Sequence, residues 1–152
     1  MPEFRKRAVS AEDNIGQERY ELYKSAFTWI KKSIDEGYYL ESISIIESLI
    51  TDRLESYLSS LTNVDFSFKT LGNLIDAINS HERDNTLRSL VLIELNEWRK
   101  ARNKAAHEMV KIECGERISW DERVEINKTV AETGLTLVRK IDNRFRRIRP
   151  RN

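Results

Sequence analysis

The segment YLESISIIESLITDRLESYLSSL, residues 39–61, decides the expected fold, because its apolar residues recur with the period of an α-helix. Spacings of three and four residues place large side chains on one face of such a helix. This face comprises Ile43, Ile46, Ile50, Leu54, Tyr57 and Leu61, and it is widened by Ile45, Leu49 and Leu58. A face this wide needs other helices to cover it, so the segment predicts one long helix of a bundle.

Helical periodicity also precedes and follows this segment. We expect a first helix that begins near Ser10 or Asp13 and ends at Gly37, because glycine commonly follows the last turn of a helix. Residues 62–69 predict a loop. Residues 70–79 predict a short helix, since their apolar residues again recur at helical spacing.

Two further long helices are expected in the second half of the chain. The fourth helix begins near Asn85 or Thr86 and reaches roughly Val110. Its apolar face comprises Leu87, Leu90, Val91, Leu95, Trp98, Ala101, Ala105 and Met109. The sequence SWDE, residues 119–122, matches a capping box at the start of the last helix, which continues until Pro150.

The composition favours one all-α domain. The chain has 152 residues with only five glycines and two prolines, and this scarcity of turn residues favours long helices over a many-stranded sheet. We therefore expect a helical bundle of four long helices plus a short one. Its boundaries are predicted as a polar N-terminal segment at 1–12, a single helical domain at 13–148 and a basic tail at 149–152.

Charge and cysteine content narrow the class of protein. The formal net charge is +1, so a nucleic-acid site must come from local clustering of cations rather than from a global field. Cys114 is the single cysteine, which excludes an intrachain disulfide and favours a reducing compartment. The N-terminus lacks the apolar core of a signal peptide, and no apolar stretch approaches 18 residues. We expect a soluble, cytoplasmic protein with no membrane partner.

The segment WRKARNKAAHE, residues 98–108, combines groups that can act on a phosphodiester. Arg102 carries a permanent charge and can bind phosphate through two parallel hydrogen bonds. His107 belongs to the residue type that exchanges a proton near neutral pH. On an ideal helix Arg102 lies about 40° from Trp98, inside the apolar face, whereas His107 lies about 140° from Arg102. The two side chains therefore converge only between two copies of the helix or where the helix bends near its end.

Arg102, Asn103, three residues and then His107 resemble the R-N-x-x-x-H form of the R-x4-6-H signature of HEPN domains. These are small all-helical domains of about this size, and the resemblance covers most of the chain. It implies a symmetric homodimer in which both motifs line one cleft and cleave an RNA substrate without a metal or cofactor. It further implies that Arg102 stabilises charge on the phosphate. Asn103 would orient His107 or hold a phosphate oxygen, and His107 would act as general base or acid.

Further residues are assigned to the surroundings of the motif. Arg99, Lys100 and Lys104 are candidate RNA-binding residues, with stabilisation of the helix end as the alternative. Glu47 is a candidate supporting residue that could fix Arg102, as acidic partners do in some HEPN relatives, although a solvated glutamate is the favoured interpretation. A cationic run that could follow an RNA backbone or form a solvated helix end comprises Arg139, Lys140, Arg144, Arg146, Arg147, Arg149 and Arg151. RNA is slightly favoured.

Other site chemistries find less support in the sequence. With one cysteine and histidines only at positions 81 and 107, no metal-ligand spacing occurs. The five glycines are scattered and form no phosphate-binding loop. A Ser-His-Asp triad stays open, but no nucleophile-elbow pattern supports it.

The resemblance implies an endoribonuclease that serves as a toxin or defence effector, with a cognate antitoxin protein as a candidate partner. In HEPN toxins neutralised by a nucleotidyltransferase antitoxin, a tyrosine lies two residues after the histidine. Met109 stands at that position here, so an antitoxin would need another mode of control. Two alternatives remain: a non-catalytic HEPN module that binds RNA or a partner protein, and a helical scaffold whose motif is accidental.

Overall fold

The chain forms five helices in a computed structural model that describes residues 15–148. We number them α1 (Ile15–Glu36), α2 (Tyr39–Thr62), α3 (Leu71–His81), α4 and α5 (Trp120–Ile148). Helix α4 is continuous and consists of an α-helical start (Asn85–Ser89), a π-helical turn (Leu90–Leu95) and an α-helical end (Asn96–His107). No strand occurs within residues 15–148. The expected all-α bundle of four long helices and a short one is therefore confirmed.

Three sequence predictions concern residues outside the described range. The expected start of the first helix near Ser10 or Asp13 lies there, as do the polar segment 1–12 and the basic tail 149–152. Inside the described range, the end of α1 agrees with the prediction. Gly37 follows Glu36 with φ of +87°, a conformation in which a side chain would be strained.

Helix α2 is the element around which the others assemble, because it packs against all four of them. Its apolar residues form the centre of a continuous core to which every helix contributes. The most deeply buried side chains of that core are Ile30, Ile43, Ile46, Ile50, Leu54, Leu58, Leu74, Ile78, Leu87, Val91, Leu95 and Ile141. Tyr57 of α2 stacks on Phe145 of α5 with 4.5 Å between ring centroids. The predicted apolar face of α2 is thus the buried one.

The structure corrects three residues of the apolar faces predicted for α2 and α4. Leu61 exposes 45% of its surface because it lies in the last turn of α2, beyond the helices that cover the core. Ala101 is exposed, since Arg102 rather than Ala101 follows Trp98 on the inward side of α4. Met109 lies outside the helix, because α4 ends at His107 and not at Val110.

Trp98 joins α4 to α5 through a close backbone contact. Its indole Nε1 donates a hydrogen bond to Val130 O at 2.9 Å, and the ring is buried. Gly134, one turn further along α5, faces the ring: a Cβ atom built there would lie 2.7 Å from Trp98 Nε1 and 2.9 Å from two ring carbons. The contact therefore requires glycine at this position.

We predict that Gly134→Ala lowers the free energy of unfolding by about 1–3 kcal/mol, because the rigid indole must shift away from Val130 O. Urea denaturation followed by circular dichroism measures this change. Gly72→Ala is the matched control, since a Cβ at Gly72 meets its nearest neighbour, Arg99 Nη1, at an ordinary 3.7 Å. Equal stability of the two variants would contradict the role assigned to Gly134.

Candidate active site

The motif segment occupies the last three turns of α4. Residues 96–107 are regular α-helix, and the helix ends at His107 because Glu108 adopts φ of −121° and ψ of 20°. The Glu108 N–H still donates to Lys104 O at 2.9 Å, which closes the last turn. No bend separates Arg102 from His107, and the π-helical turn lies upstream of both. A site formed by bending the helix end is therefore not the arrangement in this chain.

Arg102 points towards α2 and pairs with Glu47. Arg102 Nη2 donates to Glu47 Oε1 at 2.5 Å, and the two side chains are 17% and 28% exposed. The favoured interpretation of Glu47 as a solvated glutamate is wrong for this structure. Since α2 packs against the end of α4, the carboxylate lies opposite the guanidinium, and sequence spacing alone could not place it there.

The guanidinium of Arg102 is incompletely satisfied. Its Nε atom is buried and has no hydrogen-bond partner among the described residues. A buried N–H without a partner typically costs about 1–3 kcal/mol, so such positions are rare unless they serve a role other than stability. Arg102 is therefore a candidate functional residue on structural grounds as well as by its motif.

A polar groove of about 580 Å³ lies in front of Arg102, between α2, α3 and the end of α4. Its charged lining consists of Lys69, Arg99 and Arg102 with one carboxylate, Glu47. Serine and threonine side chains of α2 and the N-terminal turn of α3 complete the wall. Backbone N–H groups at a helix N-terminus attract anions, and here they add to a local excess of two positive charges. The groove can hold a phosphate group.

The three candidate RNA-binding cations have different surroundings. Arg99 lines the groove, and its Nε and Nη2 donate to Asn96 Oδ1 at 3.2 and 3.0 Å. No carboxylate within residues 15–148 forms an ion pair with it. Lys100 and Lys104 lie outside the groove and are more than half exposed. They pair at 3.4 and 3.7 Å with Glu97 and Glu113. Of these three candidate cations, only Arg99 lines the same groove as Arg102.

Asn103 and His107 do not line the groove that contains Arg102. His107 is exposed at the end of α4, and Asn103 is half-buried. Because residues 96–107 are regular helix, the angle of about 140° between the Arg102 and His107 directions applies here. A single chain thus brings together Glu47, Arg99 and Arg102, and it leaves His107 on the outward side.

Sequence reasoning predicted the loop between α2 and α3 but missed its contribution to the groove. Lys69 lines the groove directly before Thr70, whose side chain caps α3 by accepting from Asn73 N at 3.2 Å. Phe68 exposes 64% of its surface and has φ of +57°, a costly conformation for a bulky residue. In the sequence, only the N-cap pattern at Thr70 marked this position. Lys69 and Arg99 are thirty residues apart and come to line the same groove only through folding, so their spacing gave no signal.

The cations near the C-terminus are largely engaged in ion pairs. The pairs are Lys140 with Glu94 at 3.1 Å, Arg144 with Asp84 at 2.6 Å, and Arg146 with Asp142 at 3.0 Å. Arg139 and Arg147 are exposed and have no carboxylate partner within residues 15–148. Arg149 and Arg151 lie outside the described residues. Binding of an RNA backbone along these C-terminal cations stays a prediction.

None of the protein-family models, curated proteins or solved structures that we compared matches this chain. Within residues 15–148, none of the helices has the length and hydropathy required to cross a bilayer. The same residues contain no group of three histidine, cysteine or carboxylate side chains that could hold a metal ion.

The pair of Asp84 and Arg144 gives a pH-dependent contribution to stability. Asp84 caps α4 by accepting from Leu87 N at 2.9 Å, and Arg144 donates to both of its carboxylate oxygens. The hydrogen bond from Arg144 lowers the pKa of Asp84 below its ordinary value of 3.8; burial opposes this effect and the Leu87 N–H adds to it. A lowered folded pKa contributes stability that is present above the unfolded pKa and is lost as the pH falls through the folded value.

We predict that Asp84→Asn lowers the melting temperature at pH 7, because asparagine still caps the helix but cannot pair with Arg144 as a charge. The difference from the original protein should shrink below about pH 4, where the carboxylate protonates. Asp84→Ala should cost a further 0.5–2 kcal/mol, roughly, from loss of the cap. Thermal unfolding between pH 3 and 7 provides the test. A difference that does not change with pH would contradict the assignment.

Proposed function

We propose that this protein is a metal-independent endoribonuclease of the HEPN type that acts as a symmetric homodimer. The observation that carries the proposal is the position of Arg102. This arginine of the R-N-x-x-x-H motif is held by Glu47 at the wall of a polar, cationic groove, and one of its N–H groups is buried with no partner in the described part of the chain. A guanidinium fixed in this way is pre-organised to bind a phosphate that gains negative charge.

The chemistry needs no group beyond the side chains of the motif. The 2′-hydroxyl of RNA attacks the adjacent phosphorus, so that a 2′-O–P bond forms and the P–O5′ bond breaks. One imidazole, that of His107, accepts the 2′-hydroxyl proton, and a second, protonated imidazole donates a proton to the leaving 5′-oxygen. Arg102 stabilises the charge on the phosphate oxygens, and Asn103 orients His107 or binds one of those oxygens. The products are a 2′,3′-cyclic phosphate and a 5′-hydroxyl, and DNA is not a substrate because it lacks the 2′-hydroxyl.

Two protomers are needed for two reasons: the number of histidines in the motif and the side of α4 on which His107 lies. Each chain supplies one histidine in the motif, whereas the reaction uses a base and an acid. His107 also lies on the outward side of α4, away from the groove that contains Arg102. In the proposed dimer, His107 of each protomer extends from the outward side of α4 to the groove of the partner, so that two imidazoles and two Arg102 side chains line one cleft. The dimer thereby supplies what one chain lacks.

We further propose a role as a toxin or defence effector in a prokaryotic cytoplasm. Such a role fits an enzyme whose cleavage of RNA does not depend on the supply of a cofactor. An endoribonuclease of this kind requires control by a partner, and an antitoxin protein is the candidate. Met109 cannot accept the modification that a tyrosine accepts, so the proposed control is by binding. Met109 also packs inward, where its sulfur lies 2.9 Å from Asn127 Nδ2.

The alternative function is a non-catalytic HEPN module that binds RNA or a partner protein. The position of His107 favours it: within one chain His107 does not line the groove that contains Arg102, so the groove alone has no proton-transferring imidazole. Such a module would bind RNA through the groove and leave it intact. Cleavage assays separate the two functions.

We predict that the purified protein cleaves total RNA in excess EDTA and that His107→Ala lowers the rate by about 10²- to 10⁴-fold, the usual contribution of a proton-transferring group. Gel analysis of the RNA and detection of cyclic phosphate ends measure the reaction. His81→Ala is the matched control, because His81 is an exposed residue at the end of α3. RNA binding without cleavage by the original protein would favour the non-catalytic module, and neither activity would favour a scaffold.

A second variant tests whether Glu47 positions Arg102. Glu47→Leu should lower the cleavage rate by about 10- to 100-fold, since a misplaced guanidinium no longer meets the phosphate. Glu47→Gln should retain more activity, because its side chain keeps an oxygen that accepts from Arg102. Steady-state rates and thermal unfolding of both variants are measured together. Full activity of a folded Glu47→Leu protein would contradict this role.

A further inference from the structure

A second basic surface lies away from the motif, in a cleft between α1, α2 and the C-terminal part of α5. The cleft has a volume of about 460 Å³. Its charged lining comprises Arg19, Lys24, Lys31, Arg53, Arg146 and a single acid, Asp142. Among the described residues that line the cleft, five cations and one carboxylate leave a net charge of four positive, in a chain whose total is +1. Positive charge is therefore concentrated here.

The ion pairs inside the cleft do not neutralise it. Asp142 is shared by Arg53 and Arg146, each at 3.0 Å, so one negative charge faces two guanidinium groups. Arg19 approaches Asp52 only at 3.7 Å. Lys24 and Lys31 are exposed and have no carboxylate partner within residues 15–148.

The arrangement around Arg53 is electrostatically unfavourable. Burial lowers the pKa of Arg53, and the neighbouring guanidinium groups of Arg146 and Arg19 lower it further, while Asp142 and Asp52 act in the opposite direction. An anion in the cleft would relieve the repulsion among these like charges. The cluster of cations is therefore electrostatically more favourable with a polyanion bound than without one.

Aromatic rings accompany the cations. Tyr20 exposes 61% of its surface at the cleft, and Tyr23 and Phe27 lie beside it on the same helix. The Arg53 guanidinium lies 4.3 Å from the centroid of the Tyr23 ring, which holds it in place. Rings that alternate with cations bind nucleotide bases by stacking while the cations bind phosphates. An acidic peptide would use the cations but not an exposed ring.

The residues that line the cleft extend along α1. Tyr20, Lys24, Thr28 and Lys31 recur at intervals of three or four residues along one face of α1. The eleven helical steps from Tyr20 to Lys31 span about 16 Å, which is longer than a single phosphate group and suits an extended strand.

We propose that this cleft is a binding site for single-stranded RNA, separate from the groove that contains Arg102. Lys24 and Lys31 contact backbone phosphates, Arg53 and Arg146 supply fixed guanidinium groups, and Tyr20 stacks on a base. This site binds RNA whether or not the protein cleaves it, so the inference does not rest on the proposed catalysis.

The test measures fluorescence anisotropy of the full chain with a labelled 2′-O-methyl oligonucleotide, which cannot be cleaved, at several salt concentrations. Each phosphate contact contributes about 0.7 to the slope of log affinity against log salt for single strands. Lys24→Gln/Lys31→Gln should lower this slope by about 1.4. Lys31→Gln alone should lower it by about 0.7, whereas Lys32→Gln should leave it unchanged. Lys32 is the matched control, since it is the adjacent exposed residue of α1 and lies outside the cleft, over the ring of Trp29.

A third variant tests for stacking. Tyr20→Ala should weaken binding by about fivefold or more at an unchanged salt slope, because stacking on one base contributes at least that factor. Equal losses in Lys31→Gln and Lys32→Gln would overturn the proposal, and so would unchanged binding in all of the variants. Competition by polyglutamate as effective as by unlabelled oligonucleotide at equal charge would also overturn it in favour of an acidic protein ligand.

Discussion

The burial of one face of α2 is the constraint on which the rest of the structure depends. Ile43, Ile46, Ile50, Leu54 and Leu58 are each at most 2% exposed, and they are covered from all sides because α2 contacts the four other helices. Full burial of each such side chain contributes about 1.5–3 kcal/mol. No other helix of the described residues has this central position, so the directions of the remaining helices follow from covering α2.

The same packing decides where the polar residues of α2 lie. Glu47 faces the end of α4 and meets Arg102, while Arg53 faces α1 and α5 and meets Tyr23 and Asp142. Arg53 follows Glu47 by six positions, which places the two side chains about 120° apart around the helix. One helix thereby provides the inner wall of two cationic surfaces that face different directions.

Both surfaces contain charge that the fold does not fully compensate. Arg102 Nε is buried without a hydrogen-bond partner among the described residues, and the pKa of Arg53 is lowered by burial and, to a lesser extent, by the nearby Arg146 and Arg19. Structures optimised for stability alone avoid such groups, and their occurrence beside open grooves is typical of sites that bind a ligand. These two arginines, more than the number of basic residues, connect the structure to the proposed binding of RNA.

Periodicity in the sequence was sufficient to determine the helix content, the number of long helices and the buried face of α2. The reason is that apolar residues at helical spacing lie on one face of a helix, and that face must be buried. It also predicted the end of α1 at Gly37 and the cap of α5, where the Glu122 N–H donates to Ser119 Oγ at 3.1 Å. These features depend on residues close to each other in the chain. Spacing could not reveal the pair of Glu47 with Arg102, the groove that adds Lys69 to Arg99, or the cleft around Arg53. Each of these joins residues that are distant in sequence, and only the packing of helices around α2 decided which of them meet.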